Sequence, residues 1–201
     1  MDKKPFNPLD KKSLGLSVAD ALLEQKAIPL KEIPKFEGAG VYAIYYSGGF
    51  ALYGKIAAQN RNNKFTRPIY VGKAVPAGAR KGGFGLDESP GAVLFKRLQE
   101  HLSSIEEADN LGTGDFHCRY FVVDDIWIPL GESLLIEKFS PLWNKVVDGF
   151  GNHDPGSGRH NQQKSLWDIL HPGRKWAARL KENKKSRPAI IADVETFLHA
   201  N

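Results

Sequence analysis

The stretch GVYAIYYSGGFALYGKIAA, residues 40–58, opens with a run of aromatic, aliphatic and small residues and then reaches Ser47-Gly48-Gly49. This composition is typical of a strand that ends in a glycine turn. Side chains alternate across a strand, so Tyr42 and Tyr46 are expected on one face and Tyr45 on the other. The stretch leaves open whether one of its tyrosines does chemistry or whether all of them pack a sheet.

Two further runs have strand character, RPIYVGKAV (67–75) and FHCRYFVVDD (116–125). Two helical patterns accompany them, SPGAVLFKRLQEHLSSIEEAD (89–109) and PLGESLLIEKFSPLWN (129–144), and Pro141 is expected to end the second. The order strand, strand, helix, strand, helix predicts an α+β fold. Its sheet should be small, three-stranded and mainly antiparallel, with helices on its flanks.

Long loops and a helical C-terminal extension are predicted around this core. Three connections are unusually long for a compact domain: 54–66, 74–89 and 148–173. Loops of this length are usually functional. Two helical patterns close the chain, at 173–185 and 188–201. We expect one integrated domain in three parts: a helical arm at 1–35, a core with insertions at 36–147, and a loop with helices at 148–201.

Cysteine content and hydropathy limit the class of protein. The single cysteine, Cys118, excludes an internal disulfide and a cysteine-based zinc site. About 18 consecutive apolar residues would be needed to cross a bilayer, and the sequence has no such run. We therefore expect no membrane partner and a cytoplasmic location.

The charge is unevenly placed along the chain. The net charge is +5, yet residues 55–97 and 159–187 each contain nine Lys or Arg against two acids. Two basic segments on an otherwise acidic chain indicate surfaces that face a polyanion, of which nucleic acid is the commonest. The alternative is a solvated, lysine-rich surface.

Three side chains have positions in the sequence from which they could extend into a cleft. Arg97 and His101 are one helical turn apart at the edge of an apolar arc, although a surface arginine and histidine would fit the same spacing. Glu132 lies on the apolar stripe of its own helix, where a carboxylate is costly unless it is paired or bound to a cation. The alternative for Glu132 is an acid stabilised by the helix dipole.

These residues belong to a longer ordered set. Gly40-Val41-Tyr42 and Tyr70-Val71-Gly72 are followed by Arg97, His101, Glu132 and Asn144, and this order resembles the signature of the GIY-YIG nuclease superfamily. From about 34 to 176 the chain is also similar to the restriction endonucleases that cut CCGCGG, the SacII specificity. Tyr53-Gly54-Lys55 lies nearer the usual spacing but lacks the middle residue of the motif. We take Tyr70 as the second motif tyrosine, with Tyr53 as the alternative.

The resemblance implies a type II restriction endonuclease that hydrolyses double-stranded DNA with Mg²⁺. One Mg²⁺ per active site, replaceable by Mn²⁺, would be held by Glu132. Arg97 would neutralise the phosphate. Tyr42 would be the general base, with its pKa lowered by Lys73, His101 or the metal. Tyr70 and Asn144 would orient water and phosphate, although any tyrosine here could instead be an ordinary sheet residue.

Guanine presents two major-groove acceptors that suit Arg and Lys. The candidate DNA-binding residues are Lys55, Arg80, Lys81, Arg159, His160, Asn161, Gln162, Lys164 and Arg174. A palindromic target implies a homodimer on DNA, and a cognate DNA methyltransferase would be a genetic partner. The rival functions are a repair or homing GIY-YIG nuclease and a DNA-binding protein without catalysis.

Overall fold

The strand Gly40–Tyr46 is buried over its whole length and lies between two antiparallel neighbours. This computed structural model describes residues 7, 9–76, 90–154 and 162–201. Within these residues the sheet contains β1 (Ile28–Pro29), β2 (Gly40–Tyr46), β3 (Tyr70–Ala74) and β4 (Phe116–Val122). The strands lie in the order β1-β4-β2-β3, and each neighbouring pair is antiparallel.

Helices cover both faces of the sheet. The described helices are α1 (Lys11–Glu24), α2 (Gly54–Asn60), α3 (Val93–Glu107), α4 (Ile128–Phe139), α5 (Leu142–Lys145), α6 (Leu166–Leu170) and α7 (Arg187–Ala200). Short 3₁₀ turns connect them at Leu30–Glu32, Ala51–Tyr53, Thr113–Asp115, Asp125–Trp127 and Ala177–Arg179. This arrangement confirms the predicted α+β class.

The alternation of β2 divides the core into two clusters. Tyr42, Ile44 and Tyr46 face the larger cluster, which contains the apolar side of α3 and residues of α5, α6 and α7. The intervening side chains, including Tyr45, face a second cluster formed with α1 and α4. The predicted separation of the strand tyrosines onto two faces is confirmed.

Local signals set the helix ends. The carboxylate of Asp10 accepts a hydrogen bond from the Ser13 amide at 2.7 Å and begins α1. Ser186 begins α7 in the same way. At the end of α4, Ser140 adopts a left-handed conformation with φ of 42° before Pro141, as expected where a proline stops a helix.

The prediction of three strands missed a short fourth one. Ile28 and Pro29 pair with Cys118 and His117 at the outer edge of β4. Both residues lie in the part of the chain predicted as a helical arm, 1–35, and Pro29 interrupts a strand pattern there. Proline is tolerated here because a two-residue edge strand leaves one side without a ladder partner.

Three loop or helix assignments also need correction. Residues 54–66 begin with α2 rather than a loop, because Ile56 and Ala57 are buried against the core. The region 148–173 contains α6, which Ser165 caps. The predicted helix over 173–185 is only the 3₁₀ turn Ala177–Arg179, since the Lys181 backbone pairs with residues 162 and 164 instead. The predicted loop over 74–89 lies largely outside the described residues.

A search of the described helices for a membrane-spanning segment, which would need both sufficient length and sufficient apolarity, finds none.

Candidate active site

Tyr42 and His101 form a buried pair at the centre of the site. β2 directs the Tyr42 side chain toward α3, and its hydroxyl lies 2.6 Å from His101 Nε2. Tyr42 is fully buried and His101 is 1% exposed. The phenol lies over Gly72, where an added Cβ would come within 2.4 Å of the Tyr42 hydroxyl. The glycine in Tyr70-Val71-Gly72 therefore leaves the space that the phenol occupies.

Burial separates the protonation states of the pair. Burial raises the pKa of Tyr42 well above its ordinary value of 10.0, an effect that the charge of Arg97 opposes. Burial, followed by the charge of Arg97, lowers the pKa of His101 well below 6.5. A neutral phenol thus faces a neutral imidazole near pH 7, and the imidazole tautomer decides which of the two groups donates the hydrogen bond between them.

Arg97 reaches the same place from the preceding turn of α3. Its Nη2 donates to the Gly151 carbonyl at 2.8 Å, and its Nη1 donates to Glu100 at 2.9 Å. Nη1 also contacts His153 Nε2. The Arg97 side chain is 19% exposed, so a planar, charged fork is held at the cleft with part of its surface open to a ligand.

Aromatic rings enclose this group. The ring of Tyr70 lies 6.2 Å from that of Tyr42 and 5.3 Å from that of His101, measured between centroids. Phe150 stacks on His101 at 4.4 Å with an angle of 15°. Burial also raises the pKa of Tyr70. The two motif tyrosines, Arg97 and His101 are therefore neighbours in the folded protein.

Glu132 approaches from α4 on the other face of the sheet. Its carboxylate forms an ion pair of 2.7 Å with Lys73, and the Glu132 side chain is 19% exposed. The negative charge of Glu132 contributes to the raised pKa values of Tyr42 and Tyr70, which reflects its proximity to both phenols. Lys73 and Gly72 alternate along β3, so Lys73 extends away from Tyr42. We therefore pair Lys73 with the carboxylate rather than with the phenol.

The donor set fits a cation that keeps most of its own water. Within the described part of the chain, no group of three or more His, Cys, Asp or Glu side chains is placed to hold a metal. Glu132 is a partly exposed carboxylate, and its partner Lys73 lines an open cleft. Mg²⁺ is commonly bound by one or two carboxylates together with substrate phosphate oxygens, so Glu132 fits such an ion.

Asn144 has a structural position. Its side-chain amide donates to the Val71 carbonyl and accepts from the Val71 amide, both at 2.8 Å. These bonds continue the ladder at the free edge of β3 in the way that a further strand would. Asn144 therefore holds the strand that carries Tyr70 and Gly72, and its role in orienting water or phosphate stays a prediction.

Tyr53 lies in a separate buried network. Its hydroxyl is 2.6 Å from His171 Nε2 and accepts from Trp143 Nε1 at 3.0 Å. His171 Nδ1 is in turn 2.8 Å from the Asn110 side-chain oxygen. Burial raises the pKa of Tyr53. The structure thus brings Tyr70 beside Tyr42 and joins Tyr53 to a different histidine.

The predicted DNA-binding residues have different surroundings. Lys55 donates to the Leu198 carbonyl at 2.9 Å, Lys164 pairs with Glu182 at 2.5 Å, and Gln162 is exposed. Arg174 is 2% exposed and pairs with Asp168, so the expectation that it contacts DNA is corrected: its side chain lies inside the protein. Five others lie outside the described residues: Arg80, Lys81, Arg159, His160 and Asn161.

The sequence patterns did not single out Glu100, Phe150, Gly151 or His153. Glu100 could have been found, because it is three residues from Arg97 on one helix. The others follow the last core helix in a loop without periodicity and had no such signal. With Lys73 and Arg97, three of these residues line an open cleft of 440 Å³: Glu100, Gly151 and His153.

Five side chains converge at the β3 edge of the sheet: two strand tyrosines, an arginine and a histidine of one helix, and a carboxylate of another. This is the arrangement of a GIY-YIG nuclease. The family model described as the Eco29kI GIY-YIG domain matches residues 34–198, and the chain belongs to this restriction endonuclease family. It is accordingly a nuclease with DNA as its substrate. A search of curated proteins finds no match to the chain.

Proposed function

We propose that the chain is a type II restriction endonuclease that hydrolyses both strands of a palindromic, GC-rich site, CCGCGG, with Mg²⁺. The 2.6 Å contact between the Tyr42 hydroxyl and His101 Nε2 carries the proposal, because it offers a route for the proton of the attacking water. Membership of a restriction endonuclease family supports DNA as the substrate. The target sequence rests on the resemblance of the long insertions to enzymes of that specificity.

The proposed reaction begins with the transfer of two protons. The water oxygen forms a bond to the scissile phosphorus while the phenolic oxygen of Tyr42 takes one water proton. The phenolic proton moves across the 2.6 Å contact to His101 Nε2, which accepts it in the neutral tautomer that carries its own proton on Nδ1. This relay removes the need for a free phenolate, which the raised pKa of Tyr42 disfavours. The bond from phosphorus to O3′ breaks, and the departing oxygen takes a proton from solvent.

Two further groups act on the phosphate. The partly exposed fork of Arg97 compensates the negative charge that grows on the non-bridging oxygens. The Tyr70 hydroxyl, held beside Arg97 and Tyr42, orients the water or a phosphate oxygen by hydrogen bonding. Both groups are positioned before substrate binds, so little reorganisation is needed during the reaction.

Glu132 would hold the cation. When bound, Mg²⁺, or Mn²⁺ in its place, would supply positive charge that stabilises the negative charge developing in the reaction. The ammonium group of Lys73 now lies against this carboxylate and would have to share it or move. With one carboxylate in the set, we propose one metal ion per active site.

Recognition of DNA is assigned to the predicted DNA-binding residues other than Arg174. Among the described residues these are Lys55, Gln162 and Lys164, and the residues outside the described ranges are Arg80, Lys81, Arg159, His160 and Asn161. A palindromic target has two-fold symmetry, and a homodimer that binds it has the same symmetry. We therefore propose that a homodimer binds the site with one active site per strand. A cognate methyltransferase would protect the host DNA.

The test is cleavage of two plasmids that differ only in one CCGCGG site, with and without Mg²⁺. We expect a discrete linear product only when both the site and Mg²⁺ are present, and sequencing of its ends should place both cuts in the site. Nicking without site preference would favour a repair enzyme, and a gel shift without cleavage would favour a DNA-binding protein. Discrete cutting at another sequence would retain the restriction function but reject the proposed target.

A further inference from the structure

One short segment, residues 149–152, contacts the candidate active site at three points. The Gly151 carbonyl accepts a hydrogen bond from Arg97 Nη2 at 2.8 Å. A Cβ added to Gly151 would come within 2.9 Å of both the Tyr70 hydroxyl and Arg97 Nη2, so the backbone lies directly against both groups. Phe150 stacks on the ring of His101. The position of this segment therefore affects three proposed catalytic groups at once.

A single buried side chain holds the segment from its other side. Arg174 Nη2 donates to the Gly149 carbonyl at 3.0 Å. Arg174 Nη1 lies 3.2 Å from the Phe150 carbonyl and 3.3 Å from that of Asn152, and donates toward both. Three of the four carbonyls of the segment thus face Arg174, and the fourth, that of Gly151, faces Arg97. One turn of backbone lies between two guanidinium groups.

Arg174 is itself fixed in place. Its Nε donates to Asp168 at 2.7 Å, and the two side chains are 1% and 2% exposed. Its guanidinium lies between the indoles of Trp167 and Trp176, 4.5 and 4.6 Å from the ring centroids. Asp168 and Trp167 belong to α6, so the contacts of Arg174 connect that helix to the segment.

The glycine at the start of the segment completes the contact with α6. Gly149 has a φ of +102°, and a Cβ there would come within 2.0 Å of the Ser165 side chain. Ser165 donates to the Asp168 carboxylate at 2.6 Å, on the oxygen that Arg174 Nε does not use. Close approach and a left-handed backbone conformation both favour glycine at this position.

We propose that Arg174 is a positioning residue for the nuclease reaction. Through the 149–152 segment it sets the guanidinium of Arg97, the hydroxyl of Tyr70 and the ring of His101 relative to one another. This inference rests on the proposed function. The role requires a planar side chain with donors in several directions, because one carboxylate and three carbonyls are bound together, and a lysine ammonium has only three donors at one point.

The decisive variant is Arg174→Lys, which keeps a positive charge beside Asp168 but loses the spread of donors. Arg119→Lys is a matched control, because Arg119 also donates to two backbone carbonyls and to a phenol, those of Gln25, Phe65 and Tyr45. That phenol lies in the second core cluster, on the other face of the sheet from Tyr42. Single-turnover cleavage and DNA affinity without Mg²⁺ are measured for wild type and both variants well below their melting temperatures.

We expect Arg174→Lys to slow cleavage by about 10- to 100-fold, the effect of misplacing catalytic groups by roughly an ångström, with DNA affinity changed less than about threefold. Arg119→Lys should cleave like wild type. In a cycle with Arg97→Lys, the two losses should be less than additive, since Arg174 acts through Arg97. Weaker DNA binding of Arg174→Lys with an unchanged cleavage rate at saturating DNA would overturn the proposal. Equal losses of cleavage rate in Arg174→Lys and Arg119→Lys would also overturn it.

A spectroscopic readout separates this inference from the proposed function. The imidazole NMR signals of His101 and His153 report on the segment whether or not the protein cleaves DNA. We expect Arg174→Lys to shift both signals and Arg119→Lys to shift neither. If wild type fails to cleave, the function proposal fails, while shifted signals still support the coupling. Unchanged signals would overturn the coupling whatever the activity.

Discussion

Tyr42 and Tyr53 are chemically alike, and their surroundings separate them. Each is fully buried with its hydroxyl 2.6 Å from a histidine Nε2. Tyr53 is enclosed by Trp143 and His171, whereas Tyr42 lies beside Tyr70 and beside Arg97, which lines the open cleft. A general-base role therefore depends on access to a charged substrate site and not on the Tyr–His pair itself.

Glu132→Gln removes the proposed metal ligand but keeps the shape of the side chain. We expect cleavage to fall by at least about 10²-fold, because charge stabilisation at the phosphate is lost. DNA affinity without metal should change by less than about threefold, since basic side chains supply most of it. The matched control is Glu137→Gln on the exposed side of the same helix. Loss of DNA binding in Glu132→Gln, or equal losses of cleavage in both variants, would contradict the assignment.

The buried histidines make stability depend on pH. Burial is the main cause that lowers the pKa of His101 well below 6.5 and that of His171 to about 3. The unfolded chain takes up both protons near pH 6.5 and the folded protein does not. Their stabilising effect is therefore complete above pH 6.5 and is lost as the pH falls toward the folded pKa values.

Each such histidine lowers the free energy of unfolding by up to about 1.4 kcal/mol per pH unit. We expect a decrease of about 2–4 kcal/mol between pH 6.5 and 5, measured by urea denaturation. His101→Gln and His171→Gln should each reduce the slope of the free energy of unfolding against pH, because each removes about one proton from the difference in proton binding between the unfolded and folded states. A stability that stays constant over this range would contradict the neutral, buried state of both rings.

At the scale of elements, β3 carries the geometry of the site. The alternation of this strand sends Tyr70 and Gly72 toward α3 and Lys73 toward Glu132, so one edge strand brings groups from both faces together. Asn144 holds its free edge by two hydrogen bonds to Val71. The register between Tyr42 and Gly72 is consequently a functional feature of the sheet.

Gly72→Ala tests this register. The new methyl group would lie 2.4 Å from the Tyr42 hydroxyl, so the phenol or the strand must shift, and we expect cleavage to slow by about 10²-fold. Gly54→Ala is the matched control, because Gly54 follows the rival Tyr53 and a Cβ there meets nothing within 4 Å. Since Gly54 is helical, its replacement should be neutral or stabilise by about 1 kcal/mol. Equal rates for wild type and Gly72→Ala would contradict the close contact.

Local patterns in the sequence predicted the three long strands and the main helices of the core, and the resemblance to the GIY-YIG nucleases predicted that Tyr42, Tyr70, Arg97 and His101 come together. They did not predict contacts that depend on tertiary packing. Gly15 of α1, for example, lies so close to α4 that a Cβ would come within 2.1 Å of Leu134. The helix α1 is thus part of the second core cluster.

Arg174 shows the same limit for a charged residue. A basic segment predicts a surface for DNA, and burial of one of its members cannot be read from charge alone. Only the folded chain shows that Asp168 and three backbone carbonyls surround this guanidinium. Arg174 therefore lies inside the protein against the 149–152 segment and not on the proposed DNA surface.

At the scale of the whole molecule, a palindromic target predicts two protomers per duplex. We expect mass photometry with a short CCGCGG duplex and no Mg²⁺ to show a complex of two chains and one duplex. A duplex of the same composition without the palindrome is the control. A complex of one chain with the specific duplex, together with nicking of a single strand, would contradict the homodimer.

The central claim is that Tyr42, relayed through His101, activates water at a phosphodiester. It is tested most directly by the single-turnover cleavage rate of a CCGCGG duplex with Mg²⁺, compared among wild type, Tyr42→Phe and Tyr53→Phe. We predict that Tyr42→Phe remains folded and loses about 10²- to 10⁴-fold in rate, whereas Tyr53→Phe, which loses the equivalent buried hydrogen bond, cleaves like wild type. An undiminished rate in folded Tyr42→Phe would contradict the account.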